Sequence, residues 1–218
     1  MRSKTIAILD YGVGNLYSVE QALQFVGVKN VIITRDINEI KSSDKLILPG
    51  VGAFGSGIKS LQSAGLIESI GYHVASGKSL LGICLGMQFL ATQSEEMGMH
   101  SGLNLIPGSV RPIKSKLQKS GSKLRVPFIG WTNIVRKSQS SNHKTILENA
   151  LNRSVYFVHS YQFVPNNDED IIATYNYGDQ TITAAVQREN VIGLQFHPEK
   201  SGLIGLEILR SFAFELKT

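Results

Sequence analysis

The sequence holds a single cysteine, set in Leu80-Leu81-Gly82-Ile83-Cys84-Leu85-Gly86-Met87-Gln88. An apolar run leads into Cys84, and residues 85–92 have the composition to start a helix there. Glycines two before and two after the cysteine permit the sharp strand-to-helix turn that presents a nucleophile. The thiol then faces a helix N-terminus, whose partial positive charge favours the thiolate. A buried inert cysteine is the competing reading, and the paired glycines favour the reactive one. A thiolate nucleophile needs a base that also protonates the leaving group. Of five histidines, His73 and His100 show no partner pattern, His143 sits in a Ser/Asn-rich loop, and His159 follows an apolar run. His197 ends another such run and is followed by Pro198 and Glu199. Proline holds the preceding residue extended, so Glu199 can turn back to the far imidazole nitrogen and fix its tautomer. The expected catalytic set is Cys84, His197 and Glu199.

Attack on a carbonyl also requires donors for the oxyanion. Leu48-Pro49-Gly50-Val51-Gly52 follows an apolar run, and its glycines allow backbone N–H groups of Val51 and Gly52 to turn into a pocket. The N–H of Leu85, just after the cysteine, is the second expected donor. A plain Gly-rich turn is the bland alternative. No Gly-Lys-Ser/Thr follows, so a nucleotide-binding P-loop is not expected. Gly12-Val13-Gly14 lacks the third glycine of a dinucleotide site.

The elements that must hold these groups are legible as alternating patterns. Runs at 5–9, 31–34, 45–48 and 80–84 are nearly all apolar, as buried parallel strands are. Between them, 15–26 and 66–75 place apolar residues at helical spacing, the second stopped by Gly77. Alternation of this kind predicts an α/β fold with a mostly parallel sheet. Runs at 155–158, 171–175, 181–187 and 191–196 follow through short turns, so the second half is expected to be β-rich and mainly antiparallel. A helix over 203–216 closes the chain. With 218 residues and 42% hydrophobic composition, one domain with a sizeable core is the expectation.

No stretch reaches the roughly 18 apolar residues of a membrane span, and the first residues lack the apolar run of a signal peptide. A cytoplasmic protein without membrane contact is expected. One cysteine rules out internal disulfides and multi-cysteine zinc sites; no metal and no cofactor are expected. The net charge of +5 comes from one segment. Between Met97 and Leu147 there are nine bases and no acid, whereas acids outnumber bases elsewhere. No aromatic residue lies between Arg111 and Arg125, so a solvated Lys/Ser loop is expected there and nucleic acid is not.

Taken together, these segments resemble the class I (triad) glutamine amidotransferases and, within them, the branch of glutaminase subunits that serve imidazole glycerol phosphate synthase. The matching stretches are Asp10-Tyr11-Gly12-Val13-Gly14-Asn15, Leu48-Pro49-Gly50-Val51-Gly52-Ala53-Phe54-Gly55, Gly82-Ile83-Cys84-Leu85-Gly86-Met87-Gln88, Ser94-Glu95-Glu96, Gly130-Trp131, Tyr156-Phe157-Val158-His159-Ser160-Tyr161 and Gln195-Phe196-His197-Pro198-Glu199-Lys200-Ser201. The resemblance implies a flavodoxin-like fold in one amidotransferase domain over 1–218. It implies hydrolysis of glutamine to glutamate and ammonia, with Cys84 attacking the amide, His197 moving protons and Glu199 orienting His197. Gly52, Gln88, Glu96, Ser160 and Tyr161 would hold the glutamine. Ammonia would pass to a (βα)₈ cyclase subunit in histidine biosynthesis, forming imidazole glycerol phosphate and aminoimidazole carboxamide ribotide. Asn15, Trp131 and Lys200 match positions near that subunit interface. The resemblance also admits a paralogous acceptor, a synthetase-like sugar amidotransferase of surface polysaccharide synthesis. Where the family usually has Pro-His-Met-Gly-Trp-Asn, this chain reads Pro127-Phe128-Ile129-Gly130-Trp131-Thr132.

Overall fold

The computed structural model describes residues 4–114, 124–137 and 145–216. His143 and most of the Lys-rich stretch 114–123 lie outside the described residues. The first part runs β1 (Thr5–Leu9), α1 (Leu16–Phe25), β2 (Asn30–Thr34), α2 (Ile37–Ser42), β3 (Lys45–Gly50), α3 (Phe54–Ser63), α4 (Leu66–Ala75), β4 (Ser79–Cys84) and α5 (Leu85–Phe89). Then come β5 (Gln93–Ser94), β6 (His100–Ser101), β7 (Gly108–Pro112), β8 (Phe128–Asn133), β9 (Val135–Arg136) and β10 (Ser154–His159). The chain continues through β11 (Tyr161–Pro165), β12 (Ile171–Tyr177), β13 (Gln180–Arg188), β14 (Val191–Leu194) and α6 (Gly202–Phe214).

Eight strands form one sheet in the order β2-β1-β3-β4-β14-β13-β12-β9. The first five are parallel and the last three antiparallel. The parallel part has the doubly wound order of flavodoxin-like sheets, in which ligands bind beyond the carboxyl ends of the strands. Period-two alternation divides its residues between two cores. Ile6, Ile8, Ile47, Leu81 and Ile83 pack with Val19 and Leu23 of α1 and Leu209 and Phe212 of α6. Ala7, Leu9, Leu46, Leu48 and Leu80 pack with Phe54, Leu61, Ile70 and Phe89 from α3, α4 and α5. Each fully buried Leu or Ile contributes about 1.5–3 kcal/mol, so continuous apolar strands are what a sheet covered on both faces demands.

Helix ends follow local chemistry. Asp36 caps α2 by accepting from the N–H groups of Asn38 at 2.8 Å and Glu39 at 3.0 Å. Gly77, at φ +81°, ends α4 as expected. Two details differ from the sequence reading. The strand at 191–194 is antiparallel to β13 but parallel to β4, so it is the seam that joins the two halves of the sheet. The strand at 154–159 lies outside the main sheet and, among the described residues, pairs only with β8.

Lys45, at the start of β3, is wholly buried and donates to the carbonyls of Phe212 and, at 3.0 Å, Leu216. Burial pushes its ammonium pKa down to about 8, with Lys4 adding to this and Asp44 opposing it. It therefore caps the C-terminal end of α6, the helix that follows the His197 segment. Lys45→Met keeps the stem but strands those carbonyls, and is expected to cost about 1–3 kcal/mol, read as a lower urea midpoint. An unchanged midpoint would show that the cap contributes nothing.

Candidate active site

The cysteine turn is built by close backbone approach. Cys84 itself sits at φ 55°, ψ −109°, a conformation rarely adopted by a residue with a Cβ. Neither flanking glycine needs a positive φ; both need space. A Cβ on Gly86 would lie 1.8 Å from the Leu48 carbonyl oxygen, and one on Gly82 would lie 2.6 Å from the Gly86 carbonyl oxygen. Strand register places Gly50 opposite Cys84, so the Val51–Gly52 loop leaves β3 beside the sulfur. Gly52 turns at φ +96°. Tyr11 Oη holds that loop by donating to the Pro49 carbonyl at 2.6 Å, and the Glu96 carboxylate accepts from the Phe54 N–H at 2.7 Å. Leu85 opens α5, where a backbone N–H has no acceptor within the helix.

One cavity of about 250 Å³ is lined by Val51, Gly52, Cys84, Leu85, Gln88, Glu96, Ser160, Tyr161 and His197, together with Pro127, Val158 and His159. Nine sequence-derived candidates thus meet, although they come from five separate stretches of chain. Glu199 stands behind His197: its Oε1 is 2.8 Å from Nδ1, with the side chains 1% and 3% exposed. The 3₁₀ turn Pro198–Lys200 makes that approach, and Ser201 Oγ locks it by donating to the His197 carbonyl at 2.6 Å.

Two histidines reach the cavity, and their partners separate them. His159 uses both ring nitrogens: Nδ1 donates to the Tyr161 carbonyl at 2.7 Å, which leaves Nε2 to accept from Tyr175 Oη at 2.8 Å. Burial lowers its pKa to about 4; the Tyr161 bond opposes this and the charge of His197 reinforces it. It is a neutral structural ring. His197 keeps Nε2 free of any hydrogen bond of ordinary geometry among the described residues. Burial alone would lower its pKa, but the Cys84 sulfur and the Glu199 carboxylate outweigh burial and raise it to about 10. The arrangement can therefore hold an imidazolium beside a sulfur nucleophile and hand its proton to a leaving group.

That shift has a signed consequence. The folded pKa lies above the unfolded value of about 6.5, so the charged ring adds stability that is complete below that pH. This stability is lost as pH rises towards 10. In ring-proton NMR, His197 is expected to stay protonated beyond pH 8 in the wild type. In Cys84→Ser it should titrate at least about one unit lower, since the larger upward influence is gone. Identical curves would show that sulfur and ring do not interact.

Two buried amides complete the floor of the site. Gln88 Nε2 donates to the Tyr161 carbonyl at 3.2 Å and to Gln195 Oε1 at 3.0 Å. Gln195, wholly buried, points its Nε2 at Cys84 Sγ, 3.8 Å away. The sequence reading gave Gln195 no role; its place just before Phe196-His197 was the one available signal. Pro127 and Val158 were also not foreseen as lining.

The sequence model of the family described as "Glutamine amidotransferase class-I" matches residues 7–216. The chain belongs to that family. Curated relatives of this amidotransferase include "Imidazole glycerol phosphate synthase subunit HisH 1" of Legionella pneumophila (strain Lens). It is 46% identical over 211 residues, covering 95% of this chain and 98% of that protein. "Imidazole glycerol phosphate synthase subunit HisH" of Syntrophotalea carbinolica is 45% identical over 207 residues, with 95% and 98% covered. Among solved structures, "Structure of PurLQS from Thermotoga maritima" superposes with a TM-score of 0.70 at 20% identity, covering 99% of this chain and all of that one. That likeness shows the fold.

The three residues expected at a partner interface lie outside the amidotransferase cavity. Asn15 precedes α1 and accepts from Ser18 Oγ at 2.8 Å, Lys200 is exposed beyond Glu199, and Trp131 is 55% exposed on β8. Trp131 packs on Tyr156 at 5.8 Å between ring centroids, and Tyr156 lies 6.5 Å from the His197 ring. Val51, which lines the cavity, and Ile129 on β8 are also exposed. Phe128, where the family usually has histidine, joins a cluster with Phe157, Tyr175 and Tyr177. Within the basic segment, Arg111, Arg136 and Lys137 face Glu95, Glu148 and Asp168 at 3.5, 2.7 and 2.7 Å. Among the described residues no helix is long and apolar enough to cross a membrane.

Proposed function

We propose that this protein is a glutaminase subunit that hydrolyses glutamine to glutamate and ammonia and passes the ammonia to a cyclase subunit in histidine biosynthesis. The observation that carries the reading is the cavity in which Cys84, held at positive φ, meets a His197 already paired with a buried Glu199. Relatives named as HisH subunits over nearly the whole chain support the pathway. Residues 1–218 act as one amidotransferase domain in the cytoplasm.

In this reading the Cys84 thiolate adds to the side-chain carbonyl carbon of glutamine. The negative charge moves onto oxygen and is met by N–H groups of Leu85 and the Val51–Gly52 loop. The His197 imidazolium gives its proton to the departing nitrogen, ammonia leaves, and a thioester remains. His197, now neutral, takes a proton from water as water attacks that thioester; glutamate departs and the thiolate–imidazolium pair is restored. Glu199 keeps Nδ1 protonated throughout. Glu96, Gln88, Ser160 and Tyr161 hold the rest of the substrate. Ammonia passes to the (βα)₈ partner, which Asn15, Trp131 and Lys200 meet.

The test is affinity purification of the chain from its own cells, followed by glutamate release with and without the captured partner's ligand. A cyclase partner and ligand-stimulated turnover are expected. Capture of a synthetase-like sugar amidotransferase would keep the glutaminase and replace the partner. Lack of glutamate release by any captured complex would overturn the reading.

A further inference from the structure

We propose that Gln195 is a positioning residue that donates a hydrogen bond to the Cys84 sulfur and fixes which end of the Gln88 amide faces the substrate. The inference rests on the glutaminase reading of the same cavity and goes beyond it, because it concerns a group behind the site.

The polarity of both amides follows from one carbonyl. A backbone carbonyl only accepts, so the Tyr161 oxygen 3.2 Å from the Gln88 amide must meet its NH₂ end. The same NH₂ group lies 3.0 Å from Gln195, which must then present Oε1 to it. Gln195 has only its NH₂ left, and that is the group aimed at Cys84 Sγ. The protonated sulfur has a second contact, donating to the Val158 carbonyl at 3.9 Å. A thiolate cannot make that bond and is acceptor-only, so ionisation gives up Val158 and keeps Gln195. A donor that remains with the anion favours the anion.

The chain of bonds does not stop at Gln88. His159 Nδ1 also donates to the Tyr161 carbonyl, and Tyr175 Oη fixes the other side of that ring. Both Gln88 N–H groups are thus committed inward, and Oε1 is the end left to the cavity. That wall consequently takes a ligand N–H: the ammonium or carboxamide NH₂ of glutamine suits it, and a carboxylate does not. Neither link depends on solvent, since Gln195 is wholly buried and Gln88 is 5% exposed.

Two substitutions separate the roles. Gln195→Met removes both bonds at similar volume. Gln195→Glu retains an acceptor for Gln88 but sets a carboxylate against the sulfur. Alkylation of Cys84 by iodoacetamide, followed from pH 5 to 10 on the intact chain, reads the sulfur alone. The half-maximal pH is expected to rise by about one unit in Gln195→Met and at least as much in Gln195→Glu. Steady-state glutamine hydrolysis by the complex reads the second role: KM should rise about tenfold in Gln195→Met and stay within about twofold in Gln195→Glu, while kcat falls in both.

A purely structural Gln195 would lower the melting temperature and leave the alkylation midpoint in place, and that result in both variants would overturn the proposal. Moved midpoints in the two variants, together with a wild-type complex that never hydrolyses glutamine, would sink the glutaminase reading and leave the hydrogen bond standing. Active wild type with unmoved midpoints would sink the proposal alone.

Discussion

Replacing Cys84 by alanine is expected to reduce glutamate release by the assembled enzyme at least about 10⁴-fold while leaving a folded chain. Ser160 also lines the cavity, so the experiment decides between two residue types that can act as nucleophiles and not merely for or against one. Geometry favours the sulfur. His197 is the one cavity histidine with a ring nitrogen uncommitted, and Cys84 is among the groups that raise its pKa. The fold itself should survive, because the side chain removed is small. A second variant reports the backbone: Cys84→Gly relieves the φ of 55° and should be about 1 kcal/mol more stable than Cys84→Ala, although glycine ordinarily destabilises. Turnover above a tenth of wild type in Cys84→Ala would move the nucleophile elsewhere.

How much of this was legible beforehand depends on whether local pattern or distant contact decides. The parallel strands and α1, α4 and α6 stand close to where periodicity puts them, since burial on both faces leaves continuous apolar runs. The stretch after Gly52 carries no clear helical period, since Phe54-Gly55-Ser56-Gly57 is half glycine. In the structure it opens α3, and its glycines are there for contact. A Cβ on Gly57 would come within 2.4 Å of the Phe89 ring, and one on Gly55 within 2.6 Å of the His100 ring. Such close packing leaves no trace in local composition. The departure of β10 from the main sheet has the same origin. Its alternating burial suits a two-stranded ribbon with β8, and nothing within the run itself names that partner.

The site divides along the same line. Cys84, His197 and Glu199 were legible because each carries its geometry in its neighbours: two glycines for the elbow, one proline for the turn. The choice of His197 over His159 rested on that proline, and the structure supplies an independent reason in the committed nitrogens of His159. Gln195 carries no such local mark. Its meaning lies in Gln88 and Cys84, which reach it only once β4 and β14 are paired.

The largest structural effect is expected from Gly86→Ala. The added methyl would sit 1.8 Å from the Leu48 carbonyl oxygen and 2.8 Å from its carbon, both backbone atoms of a central strand. Neither β3 nor α5 can yield cheaply. Moving β3 disturbs its pairing with β1 and β4 as well as the Val51–Gly52 loop, and moving α5 carries Cys84 away from His197. A loss of more than about 4 kcal/mol is expected, seen as insoluble protein or as a collapsed urea midpoint, with no alkylation of Cys84 in a folded fraction. The same substitution at Gly71 should do the opposite. That residue lies within α4, with nothing inside 4 Å of its Cβ direction, so Gly71→Ala should add about 0.5–1 kcal/mol. The pair isolates the cause, since both changes add one methyl to one glycine. A tolerated Gly86→Ala would mean that strand and helix approach less closely than described, and the elbow would lose its physical basis.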